Sequence, residues 1–475
     1  MGLAKTCGAS STAIPMMTHL LRLLLSGFRA FLAICSCAAL TACGGAQKLA
    51  GHAGAHYLTL DGNAPQVIAH RGFSGRYPEQ TQMAYEAAAD AGADMLELDM
   101  HMTRDCQLVA RHNAWLSDST NVARVAATNP DVARRRRMAE GIWVNVTYPA
   151  TPAHGPTQYL SDQLVPGDPR SVLQALVVDG EDHRNDWAIS DFSMQELRDL
   201  LRGRILDNAA DRSSEWNDKL PLISAQEVLD IAVAKGKAQG RVILVYAETK
   251  NPYWNNQQAI ANGCGVPGSR PFEQAVLQLL GQNGLNTPDS AIYIQSFDPD
   301  SLRYLRSAGM KAKAVQLIDG NDIDYRDGSV IYITQDASTF VSGRPYSWTL
   351  AGDARSFGAM LTPEGLAEIK RYADGIGPWK PQVLAHAVRP YVQGSGLKDV
   401  NQLKDTGLIA AVHKAGLVVH SFTFRNEPAR LAGMFNNDPQ QEYLAYYRLG
   451  IDGVFTDFTD TALQTRATYA WELKR

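Results

Sequence analysis

The chain has 475 residues, is 45% hydrophobic and carries a formal net charge of -4. That length can bury a large core, either as one barrel with insertions or as two or three smaller domains. The charge balance leaves no broad basic surface of the kind nucleic-acid binding requires, so no nucleic-acid partner is expected.

Lys5, Arg22 and Arg29 precede an apolar run from Ala30 to Ala42, and no acidic residue occurs before Asp61. This is the pattern of a secretory targeting segment. A bilayer core takes roughly 20 apolar residues, which makes the run short for a transmembrane helix. It ends in Leu40-Thr41-Ala42-Cys43-Gly44, which resembles the lipobox of bacterial lipoproteins, where the cysteine thiol carries a diacylglyceryl group; an ordinary secretory cleavage site ahead of a cysteine is the alternative. The organisation expected is a lipoprotein signal peptide over 1–42, lipidation at Cys43, a flexible tether over 43–64 and a folded body over 65–475. The protein would then be lipid-anchored to a membrane of the bacterial cell envelope, in the periplasm or at the outer membrane. Processing would leave Cys43, Cys106 and Cys264, and with Cys43 lipidated a single Cys106–Cys264 disulfide becomes possible in an oxidising compartment.

From Gln66 onward, β-rich runs alternate with amphipathic stretches. Strands are predicted at Val67–Ala69, Met95–Met100, Leu108–His112, Val242–Glu248, Ile292–Phe297, Ala314–Ile318, Gly375–Gly377, Leu417–Phe424 and Gly453–Thr456. Helices are predicted at Thr81–Ala91, Ser193–Arg202, Ala225–Lys235, Pro271–Gly281, Pro299–Ala308, Pro363–Tyr372, Thr406–Ala415 and Gln440–Leu449, with Asp298-Pro299 and Thr362-Pro363 reading as capped helix starts. The alternation points to a parallel sheet with crossover helices. Nine strands is one too many for an eight-stranded barrel, and the span from Asp99 to Leu108 is too short for a crossover helix. Residues 120–220 hold few strand signals and many charges, which reads as a long insertion in a loop on the active-site face. Within it, Arg134-Arg135-Arg136-Arg137 would either recognise phosphate headgroups or form a solvated helix face.

Four segments carry chemistry. In Val67-Ile68-Ala69-His70-Arg71-Gly72 an apolar strand ends in a titratable imidazole, a guanidinium able to fork onto phosphate, and a glycine for an immediate turn. In Glu97-Leu98-Asp99 strand alternation puts both carboxylates on one face. They repel unless a hard divalent cation lies between them, and oxygen-only ligands favour calcium or magnesium; a solvent-facing strand would read the same way. His112 ends the run beginning at Leu108 and could share acid and base duties with His70. Glu248 and Lys250 again share one face, the first able to complete a metal site and the second to neutralise a phosphate oxygen.

Taken together, His70-Arg71-Gly72, Pro78-Glu79-Gln80-Thr81, Glu97-Leu98-Asp99, His112-Asn113 and Glu248-Thr249-Lys250 resemble, in order and spacing, the motifs of the glycerophosphodiester phosphodiesterase family, and most closely its long periplasmic branch. Gln295-Ser296-Phe297-Asp298, Gly375-Ile376-Gly377, His420–Arg425 and Gly453–Asp457 look like its later strand ends, so the likeness runs from about Gln66 to Thr465. The resemblance implies a TIM (β/α)8 barrel that hydrolyses glycerophosphodiesters to glycerol 3-phosphate and an alcohol. Glu97, Asp99 and Glu248 would hold the metal, calcium or else magnesium; His70 and His112 would be the catalytic pair; Arg71 and Lys250 would bind the substrate phosphate. Two departures stand out: Gln80 where the family has asparagine, and Asn113 where it has aspartate, which leaves the orientation of His112 open. Two rival readings keep the barrel: a related phosphodiesterase acting on lysophospholipids or sugar phosphodiesters, and a non-catalytic surface lipoprotein that binds a partner.

Overall fold

Eight short apolar runs pair in parallel and close on themselves. They are β1 (Gln66–Ala69), β2 (Met95–Met102), β3 (Leu244–Thr249), β4 (Ile292–Ser296), β5 (Lys313–Ile318), β6 (Gly375–Pro378), β7 (Val418–Phe424) and β8 (Gly453–Thr456). The ring shuts where β1 meets β8, with Ile68 opposite Phe455 and Ala69 opposite Thr456. This TIM barrel is a computed structural model that describes residues 56–137, 143–148, 157–164, 177–183, 186–206, 209, 212–333 and 343–475. Cys43 and the expected signal peptide lie outside the described residues. Among those described, no helix is long and apolar enough to cross a membrane.

The ninth predicted strand is not part of the ring. Leu108–Ala110 pairs antiparallel with the far end of β2, Met102 opposite Leu108, so it is the return arm of a hairpin. Its residues are as buried and apolar as a barrel strand, so composition alone could not separate the two.

Strand alternation builds the site from below. The inward positions of the lower strands supply Ile68, Met95, Tyr246, Tyr293, Val315 and Phe455, which pack as one plug. Tyr246 stacks on Tyr293 with ring centroids 5.1 Å apart, and its hydroxyl hydrogen-bonds His420 Nδ1 at 2.9 Å. Two residues further along each strand, the same face carries His70, Glu97, Glu248, Gln295 and Asp457. The chemistry therefore sits on an apolar floor at the carboxyl ends of the strands, where barrel enzymes place it.

The insertion leaves the carboxyl end of β2 and returns before β3. It buries a cluster of its own around Val109, Leu116, Val132, Trp187, Ile189 and Phe192, and it contains more strand than its composition suggests, including Trp143–Tyr148 antiparallel to Thr157–Leu164. Its arginine run is not one helix face: Arg134, which ends helix Pro130–Arg134, and Arg136 are exposed, Arg135 and Arg137 are half-buried, and each has its own partner. Arg135 pairs with Glu196 at 2.7 Å, Arg137 Nε with Asp191 at 2.7 Å, Arg134 with Asp131, and Arg136 lies over the Trp187 ring. Arg137 also reaches Gln258, pinning the insertion to helix Pro252–Ala261. That helix and Thr459–Glu472 were not foreseen. At the amino end, packing begins at Tyr57, which stacks obliquely on Tyr469, and the Leu60 amide donates to Asp452.

Cys106 and Cys264 form a disulfide across a sequence separation of 158 residues, tying the β2 hairpin to the loop after helix Pro252–Ala261. A loop that long constrains the unfolded chain strongly, so reducing the bond or replacing Cys264 with serine is expected to cost about 2–5 kcal/mol. A melting curve with and without reductant measures this, and an unchanged midpoint would show that the bond contributes nothing.

Candidate active site

The triplet that ends β1 works because its backbone bends at once. Arg71 lies in the left-handed region at φ 58° and Gly72 follows at φ 83°; a Cβ on Gly72 would stand 2.7 Å from the Ala84 carbonyl carbon, so only glycine lets helix Gln82–Ala91 come this close. The turn directs the Arg71 amide at Glu97 Oε2, 2.8 Å away, and its guanidinium at Glu79 (2.8 Å) and Asp99 (3.3 Å). Each residue of the Glu79-Gln80-Thr81 segment has a separate duty. Glu79 anchors Arg71 with its carboxylate and accepts from the buried Arg111 with its backbone oxygen at 3.3 Å, Gln80 Nε2 donates to Asp99 Oδ2 at 2.6 Å, and Thr81 caps the helix. Gln80, one methylene longer than the family's asparagine, still secures the carboxylate.

Glu97, Asp99 and Glu248 each offer an oxygen, and those oxygens lie within 4.8 Å of one another. Strand register explains this: Asp99 is opposite Glu248 across the β2–β3 pair, and Glu97 is the next inward residue down β2. The electrostatics are those of a site built for a cation. Burial, then repulsion from Asp99, drives Glu97 well above the usual carboxylate range. Burial likewise pushes Glu248 up to about 8, with Lys250 opposing and Asp99 adding. Burial would raise Asp99 too, but Lys250 and Arg71 outweigh it and hold it low. Lys250 Nζ, 3.2 Å from Glu248 and 3.8 Å from Asp99, partly offsets the repulsion. Gln295, which lines the same cleft, donates to Glu97 at 3.0 Å while its buried Oε1 finds no donor among the described residues. An all-oxygen set of this kind fits a hard divalent cation.

Both expected histidines line the same cleft, of about 410 Å³, together with Arg71, Lys250 and the three carboxylates. Its walls include Trp115 and Asp179 from the insertion, Phe297, Arg344 and Tyr346 from beyond the strand ends, and Phe422 from β7. All seven predicted site residues thus converge. The cleft's size is ordinary for a small-molecule site.

The two imidazoles are held differently. His70 Nδ1 lies 2.6 Å from Asp457 Oδ1, a partner sequence reading noted only as a strand end. Asp457 is itself held by Arg212 (2.6 Å) and Arg425 (2.9 Å). Although burial opposes it, Arg425 and His70 keep Asp457 far below the usual range, so it stays ionised. Among the described residues no carboxylate pairs with His112, whose ring hydrogen-bonds the neutral Asn113 side chain. Its neighbour Asn113 turns to Asp118, and burial, then Arg71 and Lys250, lowers the ring well below 6.5. Burial and Arg71 lower His70 as well, against Asp457.

Residues 70–461 match the glycerophosphoryl diester phosphodiesterase family. The chain belongs to that family. It hydrolyses glycerophosphodiesters. A glycerophosphodiester phosphodiesterase of Arabidopsis thaliana is 27% identical over 409 residues, 84% of this chain and 85% of the relative. One of Haemophilus influenzae is 22% identical over 417 residues, 84% and 88%. Among solved structures, an Oleispira antarctica phosphodiesterase in complex with the product sn-glycerol-3-phosphate aligns with TM-score 0.45 and 13% identity, over 86% of this chain and 98% of that one.

Proposed function

We propose that Glu97, Asp99 and Glu248 hold a divalent cation, calcium in the first instance, and that His70 and His112 move the protons of phosphodiester cleavage. The observation that carries this reading is the meeting of three buried carboxylates within 4.8 Å at the mouth of the barrel, with both imidazoles and two cations lining the same cleft. A bound cation there supplies Lewis-acid activation of the phosphoryl group.

The remaining steps belong to the chain's own side chains. Arg71 and Lys250 grip the phosphate and share its developing charge. With Nδ1 donating to ionised Asp457, His70 keeps its lone pair on Nε2 and serves as the base that takes a proton from the attacking hydroxyl, either water or the glycerol 2-hydroxyl. His112 then protonates the leaving alcohol. Burial is the larger cause of its lowered basicity; a bound phosphate would offset only the part due to Arg71 and Lys250. The disulfide fits an oxidising compartment, which supports export, lipidation at Cys43 and residence in the bacterial cell envelope.

Purified protein incubated with glycerophosphocholine tests the metal claim. Choline release is expected to stop on chelation and to return with calcium, and more weakly with magnesium. Undiminished release in excess chelator would overturn it.

A further inference from the structure

His101 continues the inward face of β2 two residues beyond Asp99, and it is fully buried, as is Asn255 on helix Pro252–Ala261. Neither belongs to the machinery described above, yet together they join its separately built parts. His101 Nε2 lies 3.1 Å from the backbone oxygen of His112, and His101 Nδ1 lies 2.9 Å from Asn255 Nδ2. Asn255 Nδ2 also donates to the Lys250 carbonyl at 2.7 Å, while Asn255 Oδ1 accepts from the Met102 amide at 2.9 Å.

The polarity of this network is determined at every atom. A backbone amide can only donate, so Asn255 meets Met102 with its oxygen and turns its amino group inward. That amino group faces the Lys250 carbonyl at 2.7 Å, the Asn251 carbonyl at 3.3 Å and His101 Nδ1 at 2.9 Å; since an amide nitrogen cannot accept, His101 Nδ1 must. The imidazole proton is then on Nε2, facing a carbonyl that can only accept. One tautomer satisfies every partner, and the reverse tautomer would set donor against donor and acceptor against acceptor.

We propose that His101 and Asn255 are positioning residues that set the backbone of His112 and of Lys250 relative to the β2 carboxylates. The inference rests on the catalytic roles given to His112 and Lys250. It supplies what Asn113 leaves missing. With only a neutral amide beside the His112 ring, its backbone is held from β2 on one side and the β3 loop on the other. A displacement of a catalytic group by about 1 Å is enough to lose on the order of 100-fold in rate.

His101→Gln and His101→Met test this, since the two side chains match in length and differ in whether they can donate to the His112 carbonyl. With glycerophosphocholine and saturating calcium, His101→Met is expected to lose on the order of 10- to 100-fold in kcat with KM within about threefold of wild type. His101→Gln should stay within about fivefold. Asn255→Asp, nearly isosteric, puts an acceptor against the Lys250 carbonyl and is expected to raise KM as well as lower kcat. Equal losses for Gln and Met, tracking a common fall in melting temperature, would mean the imidazole merely fills space and would overturn the proposal. If His101→Met does not fold, a soluble Asn255→Asp with wild-type kcat and KM would do the same. A wild-type protein that releases no choline removes the catalytic reading itself, whereas an active wild type with fully active variants removes only the positioning role.

Discussion

Glu97→Gln should abolish turnover and leave the barrel as stable as before, or more so. The carboxylate is buried, and what raises it most after burial is Asp99. Glutamine has the same shape, keeps an oxygen to accept from the Arg71 amide and carries no charge to repel Asp99. Relief of that kind is worth roughly 0.5–2 kcal/mol when an active-site group is neutralised. The same change takes one anionic oxygen from the cation, so kcat/KM should fall on the order of 10³-fold or more. Glu248→Gln is expected to behave alike in activity, with less gain in stability because Lys250 loses its 3.2 Å partner. Calorimetric calcium titration should find weakened binding in both. A Glu97→Gln protein with native rates and native calcium affinity would remove this residue from the metal site.

What sequence could and could not disclose follows from the geometry. Period-two alternation is local, so Glu97 with Asp99, and Glu248 with Lys250, were legible as facing pairs, and each is now seen on the inward face of its strand. The same rule puts His101 on that face, two residues beyond Asp99. The chemistry of Arg71 suggests a phosphate ligand, but nothing in the sequence discloses the left-handed backbone that aims it, since a non-glycine at φ 58° leaves no compositional trace. Hairpin and barrel strands could not be told apart at Leu108–Ala110, because both are buried; only the short connection hinted at the answer. Helix Pro252–Ala261 is hidden by its polar Asn255-Asn256-Gln257-Gln258 run, which spoils the apolar period: Asn255 serves the Lys250 carbonyl, Asn256 meets Glu273 and Gln258 meets Arg137. The arginine run misled because four adjacent cations read as one surface, whereas helix end, turn and strand send them to different partners. Long-range partners such as Asp457 for His70, separated by 387 residues, exist only once the ring has closed.

That closure yields the second large effect. Asp457→Asn is expected to lower kcat on the order of 10²- to 10⁴-fold with KM and calcium affinity nearly unchanged. The carboxylate touches His70 and not the cleft's phosphate ligands, so its work passes through the imidazole: it fixes the proton on Nδ1 and favours the charged ring that forms when Nε2 accepts a proton. An amide at this place can present its nitrogen to Nδ1 and stabilise the wrong tautomer. Arg212 and Arg425 would also lose their shared anion, although Arg212 keeps Glu427 at 2.6 Å, so a stability loss of about 1–3 kcal/mol should accompany the change. A double-mutant cycle separates the two consequences. If Asp457 acts only by way of His70, then His70→Ala combined with Asp457→Asn will be no slower than His70→Ala alone, whereas the stability loss will remain in the double variant. Full multiplication of the two rate losses would mean that Asp457 meets the substrate by a route independent of the ring, and His70 could then no longer be assigned as the base on the strength of this contact.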